Sequence, residues 1–230
     1  MRTIGLVGGT SWISTVDYYR IINQQINNRL GGDESAKLIL YSVNFGAIKN
    51  LTQQDNWEGV ASIITAAALA LEKAGADCVL LCANTMHHIA DKVQAQLSIP
   101  LLHIAKETAK AIKSKGIDTV ALLGTKYTMQ LPFYKDSLME QGIRTIVPDD
   151  INIQKVNATI YDELGKGILL PQTKEYYLQL IDELSKQGAE GVILGCTEIP
   201  LLIKQEDCSI PVFDTTFIHA SAAVDYALQD

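Results

Sequence analysis

The chain has little of what would assign it quickly. Its four cysteines, Cys78, Cys82, Cys196 and Cys208, include no CxxC pair, so neither a zinc site nor a redox dithiol is expected. Reduced thiols suit a cytoplasmic location, which is the expectation. Basic residues are outnumbered, 19 Lys and Arg against 26 Asp and Glu, for a net charge of -7. A nucleic-acid surface needs clustered Lys and Arg, so no nucleic-acid partner is expected. A small anionic substrate stays compatible, because local charge can oppose net charge. The longest apolar stretch, Val60 to Leu71, stops at Glu72-Lys73 and falls short of the about 20 residues that a membrane span takes. Met1-Arg2 leads straight into a strand pattern rather than a signal peptide.

What is present is an ordinary globular composition, 47% apolar and 20% charged over 230 residues, enough for one large core or two small ones. Short apolar runs alternate with longer amphipathic stretches. Strands are expected at Thr3–Val7, Lys37–Ser42, Cys78–Cys82, Pro100–His103, Thr119–Leu123, Arg144–Val147, Gly191–Leu194 and Val212–Phe213. Helical patterns lie at Ser14–Leu30, Asn56–Ala74, Ile104–Lys115 and Lys174–Gln187. Several strands are apolar on both sides, as buried parallel strands are. The alternation predicts an α/β fold with helices on both faces of a parallel sheet.

The two halves also resemble each other. Gly75-Ala76-Asp77 before one strand matches Gly188-Ala189-Glu190 before another, 113 residues on. Ile99-Pro100 matches Ile210-Pro211 at 111, and Gly8 matches Gly124 at 116. Three matches in order predict an internal duplication. Such a pair is expected to bind its ligand in a cleft beyond the carboxyl ends of the strands. The duplication pairs Ala83-Asn84-Thr85 with Cys196-Thr197-Glu198, and Gly8-Gly9-Thr10-Ser11 with Gly124-Thr125-Lys126-Tyr127-Thr128.

Cys196 follows a strand and precedes a helix, where backbone N–H groups favour a thiolate. An unperturbed thiol is only about 3% ionised at pH 7, so a base or nucleophile needs that help. Read alone, Cys196 is also compatible with a buried structural cysteine; the duplication and the strand-end position favour chemistry. Cys78 and Cys82 read as core, and Cys208 as an incidental loop residue. Gly9, Thr10 and Ser11 form a turn that could cradle an anion, although Ser11 and Ser14 could equally be helix caps. The turn is neither GxGxxG nor a Walker loop, so no nucleotide is implied. Asn84, Thr85, Thr125, Thr128 and Thr197 could hold a carboxylate or serve local caps. His87 and His88 read as helix-surface or packing residues, and no metal set is visible.

These motifs resemble the aspartate/glutamate racemase family, of the Asp/Glu/hydantoin racemase superfamily. Ile4-Gly5-Leu6-Val7-Gly8-Gly9-Thr10-Ser11-Trp12, with Ser14-Thr15 and Tyr18-Tyr19, is similar to its opening signature. Ala83-Asn84-Thr85-Met86-His87 resembles its first catalytic signature, and Leu194-Gly195-Cys196-Thr197-Glu198-Ile199-Pro200 its second. Phe213-Asp214-Thr215 and His219 resemble its closing segment. The resemblance implies two flavodoxin-like lobes related by a pseudo-twofold duplication. Residues 1–99 with 211–230 would make the first lobe and residues 100–210 the second. It also implies a homodimer, an acidic amino acid (L- or D-aspartate or glutamate) as substrate, and no cofactor. Two acid–base residues would flank the substrate Cα, one taking a proton while the other gives one. Surrounding donors, the turn residues among them, would steady the carbanion, and Glu198 would help to bind the substrate. Lys166 resembles a substrate-binding lysine, although a lysine at a helix end also answers the helix dipole. Gln53 and Gln54 are further loop candidates.

The chain departs from that pattern at the first cysteine position, which is Ala83. Cys82 is adjacent but points to the other face of an extended strand. Three readings stay open. Position 83 was engineered to alanine in a parent aspartate or glutamate racemase; or alanine is native in a one-sided isomerase or one-cysteine decarboxylase; or the protein is a non-catalytic amino-acid binding module.

Overall fold

The computed structural model describes residues 1–229, which divide into two α/β units. The first comprises Met1–Ile104 and the chain from His219 on; the second is Ala105–Ile218.

In the first unit, β1 (Ile4–Gly8) lies between β2 (Leu38–Ser42) and β3 (Cys78–Leu81), all parallel. Helix α1 (Trp12–Leu30) follows β1, α2 (Phe45–Gln53) and α3 (Trp57–Lys73) follow β2, and a 3-10 turn (Thr85–Ile89) with α4 (Ala90–Gln94) follows β3. Strand alternation divides the core. Val7, Val79 and Leu81 join Val60, Ile64, Ala67 and Leu71 of α3 on one side. Ile4, Leu6, Cys78, Leu80 and Cys82 join Tyr18, Ile22 and Ile26 of α1, with Ala220, Ala223 and Val224, on the other. Residues spaced three and four apart on α1 and α3 make these apolar stripes. Gly9 has φ +85°, and a Cβ there would fall 2.2 Å from the Val43 carbonyl oxygen, so only glycine makes this turn.

The second unit begins with α5 (Ile104–Ser114), whose first residue belongs to the first unit, then β4 (Thr119–Gly124), α6 (Lys126–Gln130) and α7 (Pro132–Met139). Strand β5 (Arg144–Ile146), α8 (Asp150–Asp162), a 3-10 turn (Leu164–Lys166) and α9 (Pro171–Lys186) follow. Next come β6 (Gly191–Gly195), α10 (Ile199–Leu202), β7 (Val212–Asp214) and α11 (Thr215–Leu228). The parallel order is β5-β4-β6-β7.

The register repeats as the offsets require. Ile4 stands opposite Cys78; Val120, 116 residues after Ile4, stands opposite Gly191, 113 after Cys78. Val79 bridges Leu101; Val192, 113 residues on, stands opposite Val212, 111 on. The same pairs of positions therefore meet in both sheets.

Two expectations change. The run Pro100–His103 makes only the single bridge at Leu101, because Leu102 turns its carbonyl to a histidine instead. The lobe bounds shift: residues 211–218, expected in the first lobe, belong to the second unit, where β7 pairs with β6, and residues 100–104, expected in the second lobe, belong to the first. Among the described residues, no helix is long and apolar enough to cross a membrane.

Candidate active site

In the second unit the site grows from the paired ends of β4 and β6, where Gly124 stands opposite Gly195. A Cβ on Gly124 would lie 2.7 Å from the Gly195 carbonyl oxygen, so side chains begin only at the next residues, Thr125 and Cys196. Cys196 is buried, and its Sγ–H donates to Glu198 Oε2 at 2.9 Å. The Thr197 hydroxyl donates to the same oxygen, also at 2.9 Å. Thr125 caps α6 by accepting from the Thr128 N–H at 3.3 Å, and the two hydroxyl oxygens stand 3.2 Å apart. Both threonines are buried.

The expected acidification of Cys196 is reversed. Burial, and after it the Glu198 charge and hydrogen bond, push the thiol well above its ordinary range. Backbone N–H groups of Glu198 and Ile199 pull the other way but lose. Helix α10, only four residues long, offers too little dipole to win. Cys196 is therefore a thiol at neutral pH, ready to give a proton. To take one it must first release its own, and Glu198 is the acceptor in contact.

Tyr161 on α8 is a neighbour that sequence reasoning missed. Burial, then the charges of Cys196, Tyr127 and Glu198, raise its phenol far above the ordinary range. Its segment was not among the helical patterns named from the sequence, which left it without a place. Lys166 lies on the exposed 3-10 turn after α8, its ammonium 3.7 Å from the Asp162 carboxylate. That turn packs against α10, just beyond Cys196 in the chain.

In the first unit the matching strand end carries Ala83, partly buried against the α3 side of the core. Cys82 lies in the opposite cluster with α1, fully buried, and burial drives its thiol far upward. It does not stand in for a residue at 83. Burial likewise pushes Cys78 up to about 12. Asn84 is buried and Thr85 partly so, at the head of the 3-10 turn. In the β1 turn, Ser11 accepts from the Ser14 N–H as a cap, and the Gly9 N–H is taken by Thr15 Oγ1 at 3.0 Å. The Thr10 hydroxyl is buried and has no hydrogen-bond partner among the described residues.

His87 is neither a surface residue nor mere packing. It is buried, its Nδ1 3.0 Å from the Ala83 carbonyl oxygen. Burial, then the neighbouring His103 and His219, hold it well below the usual imidazole range. His219, equally buried, is pushed down to about 3, mainly by burial. Among the described residues no group of three His, Cys, Asp or Glu is placed to hold a metal ion.

Comparison with known proteins gives a consistent result. The Asp/Glu/Hydantoin racemase family profile matches residues 7–223. The chain is 32% identical over 157 residues to the broad specificity amino-acid racemase RacX of Bacillus subtilis (strain 168), covering 68% of this chain and 67% of that one. Among solved structures, a candidate Asp/Glu racemase from Yersinia pestis aligns with a TM-score of 0.93 at 50% identity, over 100% of both chains. An aspartate racemase homologue from Pyrococcus horikoshii OT3 aligns with a TM-score of 0.86 at 40% identity, again over 100% of both.

Proposed function

The chain belongs to the Asp/Glu/hydantoin racemase family, and on that premise we propose that it moves the Cα proton of aspartate or glutamate without a cofactor, with Cys196 as its acid–base group. The observation that carries this reading is the buried Sγ–H···Oε2 contact of 2.9 Å between Cys196 and Glu198. As an acid, the thiol protonates a planar Cα carbanion and becomes a thiolate. As a base, it passes its proton to Glu198 and then takes the one on Cα, so the C–H electron pair stays on carbon. The α-ammonium of the substrate favours the thiolate, because an opposite charge nearby stabilises it. Asn84, Thr85, Thr125, Thr128 and Thr197, with the turn Gly9-Thr10-Ser11, are the proposed donors for carboxylate and carbanion, since fixed donors lower the cost of developing charge. Lys166 is the proposed partner of the distal carboxylate. A homodimer in the cytoplasm belongs to the same proposal.

Ala83 favours a second reading of the same site. A methyl group moves no proton, and the neighbouring Cys82 is core. The chain as it stands then serves one face of Cα, as a one-sided isomerase or a one-cysteine decarboxylase. Deuterium wash-in at Cα of L- and D-aspartate in deuterated water tests both readings, with CO2 release from a malonate-type acid as the decarboxylase arm. Cys196→Ala should reduce whichever activity is present by about a thousandfold, within the range a positioned acid–base group supplies. Full activity in that variant would end both readings.

A further inference from the structure

Residue 83 leaves the strand ladder. The Cys82 N–H is the last of its strand to reach β1, donating to Val7 at 2.9 Å, while the Ala83 N–H turns back to Leu81 at 2.8 Å. Its carbonyl oxygen lies 3.0 Å from His87 Nδ1. On the other edge of that ring, Nε2 receives the Ile104 N–H at 3.2 Å. A backbone carbonyl only accepts and a backbone N–H only donates, so the ring is the neutral Nδ1–H tautomer. One imidazole thus satisfies two backbone groups, one of them the first N–H of α5, which has no partner within its own helix.

A second ring continues the arrangement. His219 Nε2 donates to the Leu102 carbonyl oxygen at 2.7 Å, so its Nδ1 is the acceptor and takes the Tyr18 hydroxyl at 2.8 Å. His219 is the Nε2–H tautomer, the opposite of His87. The two ring centroids lie 5.5 Å apart, with the His103 ring 4.7 Å from that of His87. Leu102 and Ile104 flank His103 where the chain enters α5, and the two rings hold the chain on either side of it. From Tyr18 on α1 to residue 83 the holds run hydroxyl to ring, ring to Leu102, Ile104 to ring, ring to carbonyl.

We infer that His87 is a positioning residue for site position 83, its neutral ring fixing the carbonyl of residue 83 against Ile104 while His219 and Tyr18 fix Leu102 beside it. The strand cannot aim the residue 83 side chain, because that residue has no ladder bond of its own. The ring does so, whichever side chain occupies the position. The inference rests on the proposal that position 83 is the second acid–base position of the site.

The test compares Ala83→Cys alone with Ala83→Cys/His87→Leu and Ala83→Cys/His87→Asn, Asn keeping a donor for the carbonyl. The leucine variant should lower kcat for Cα exchange about tenfold or more, as small misplacements of reacting groups do, with KM within about twofold, and asparagine should recover most of the loss. Ring nitrogen spectra of the unsubstituted protein should show His87 as Nδ1–H and His219 as Nε2–H. Unchanged kcat in the leucine variant, or the opposite tautomer on His87, overturns the inference. If Ala83→Cys gains no exchange, the acid–base reading of position 83 fails by itself. The hold is then judged on the rate at which iodoacetamide alkylates the introduced thiol. That rate should change about tenfold on His87→Leu and return with His87→Asn if the ring aims residue 83; an unchanged rate counts against it. Should the leucine variant not fold, His87→Asn and the spectra carry the test.

Discussion

The two units share a sheet register and differ in what they place at the strand end. All four histidines, His87, His88, His103 and His219, belong to the first unit, and the second has none. Beyond β3 the first carries Ala83, held through its backbone by a neutral ring. Beyond β6 the second carries Cys196, held through its sulfur by a carboxylate. The scaffold positions were kept to the residue, as Ile4 with Cys78 and Val120 with Gly191 show, while the groups one step beyond the ladder diverged. Strand pairing tolerates little slippage, because a one-residue shift turns every core side chain outward. The residue after the strand is under no such constraint, so reactive groups can change there without disturbing the core.

The asymmetry is broken most strongly by Ala83→Cys. We expect racemisation of aspartate or glutamate, followed by loss of optical rotation, to rise about a hundredfold, as supplying a positioned acid–base group does. An unchanged rate would mean that the first unit takes no part in proton transfer at position 83.

Glu198→Gln sharpens the comparison from the other side. It keeps an acceptor for the thiol and removes the charge that raises it. Cys196 should then ionise at lower pH than in the parent, and the rising limb of any base-dependent step should move to lower pH. Exchange at its plateau should fall about tenfold, since the amide accepts no proton. A pH–rate profile of both proteins reads the shift; a limb that stays in place would free Glu198 of this role.

Acid should unsettle the first unit before the second. His87 and His219 have folded values below the ordinary 6.5, His219 at about 3. The unfolded chain therefore binds protons that the folded one refuses. Their contribution is intact above about pH 6.5 and is lost as pH falls from there toward 3, each ring adding a slope of up to about 1.4 kcal/mol per pH unit. Amide hydrogen exchange between pH 7 and 5 should quicken in the first unit's core, around Tyr18 and Leu80, before it quickens around Leu122 and Ile193. Equal acceleration in both units would contradict this.

Lys166→Ala should have the smallest effect. Its ion pair with Asp162 is exposed on both sides, so stability should change by less than about 0.5 kcal/mol in a urea titration. The KM for aspartate should rise about threefold if a lysine contact to the distal carboxylate is lost, and an unaltered KM removes Lys166 from the site.

Most strands were legible because buried parallel strands are apolar on both sides, as β1, β4 and β6 are. Helices without a clean stripe were not. Helix α11 is rich in alanine and apolar over most of its surface, α8 mixes β-branched and polar residues, and α2 is short and carries Gly46 near its start. At the site, offsets in the sequence pointed to Cys196 and Ala83 as counterparts. The sign of the Cys196 shift was not legible, because local sequence shows a helix start and hides the burial and the Glu198 rotamer that outweigh it. The histidine holds were hidden for another reason. His87 finds Ile104 seventeen residues on and His219 finds Tyr18 at a separation of 201, and no local pattern encodes either meeting.

The Cys196–Glu198 contact has a consequence for durability. Peroxide and electrophiles react with thiolates, and susceptibility follows ionisation and exposure. Cys196 presents 6% exposure and a sulfur whose proton is tied to a carboxylate. Oxidants and alkylating reagents in bulk solvent therefore find it nearly inert. A covalent inhibitor must draw that proton away before it can react, as the ammonium group of an amino acid would help it to do.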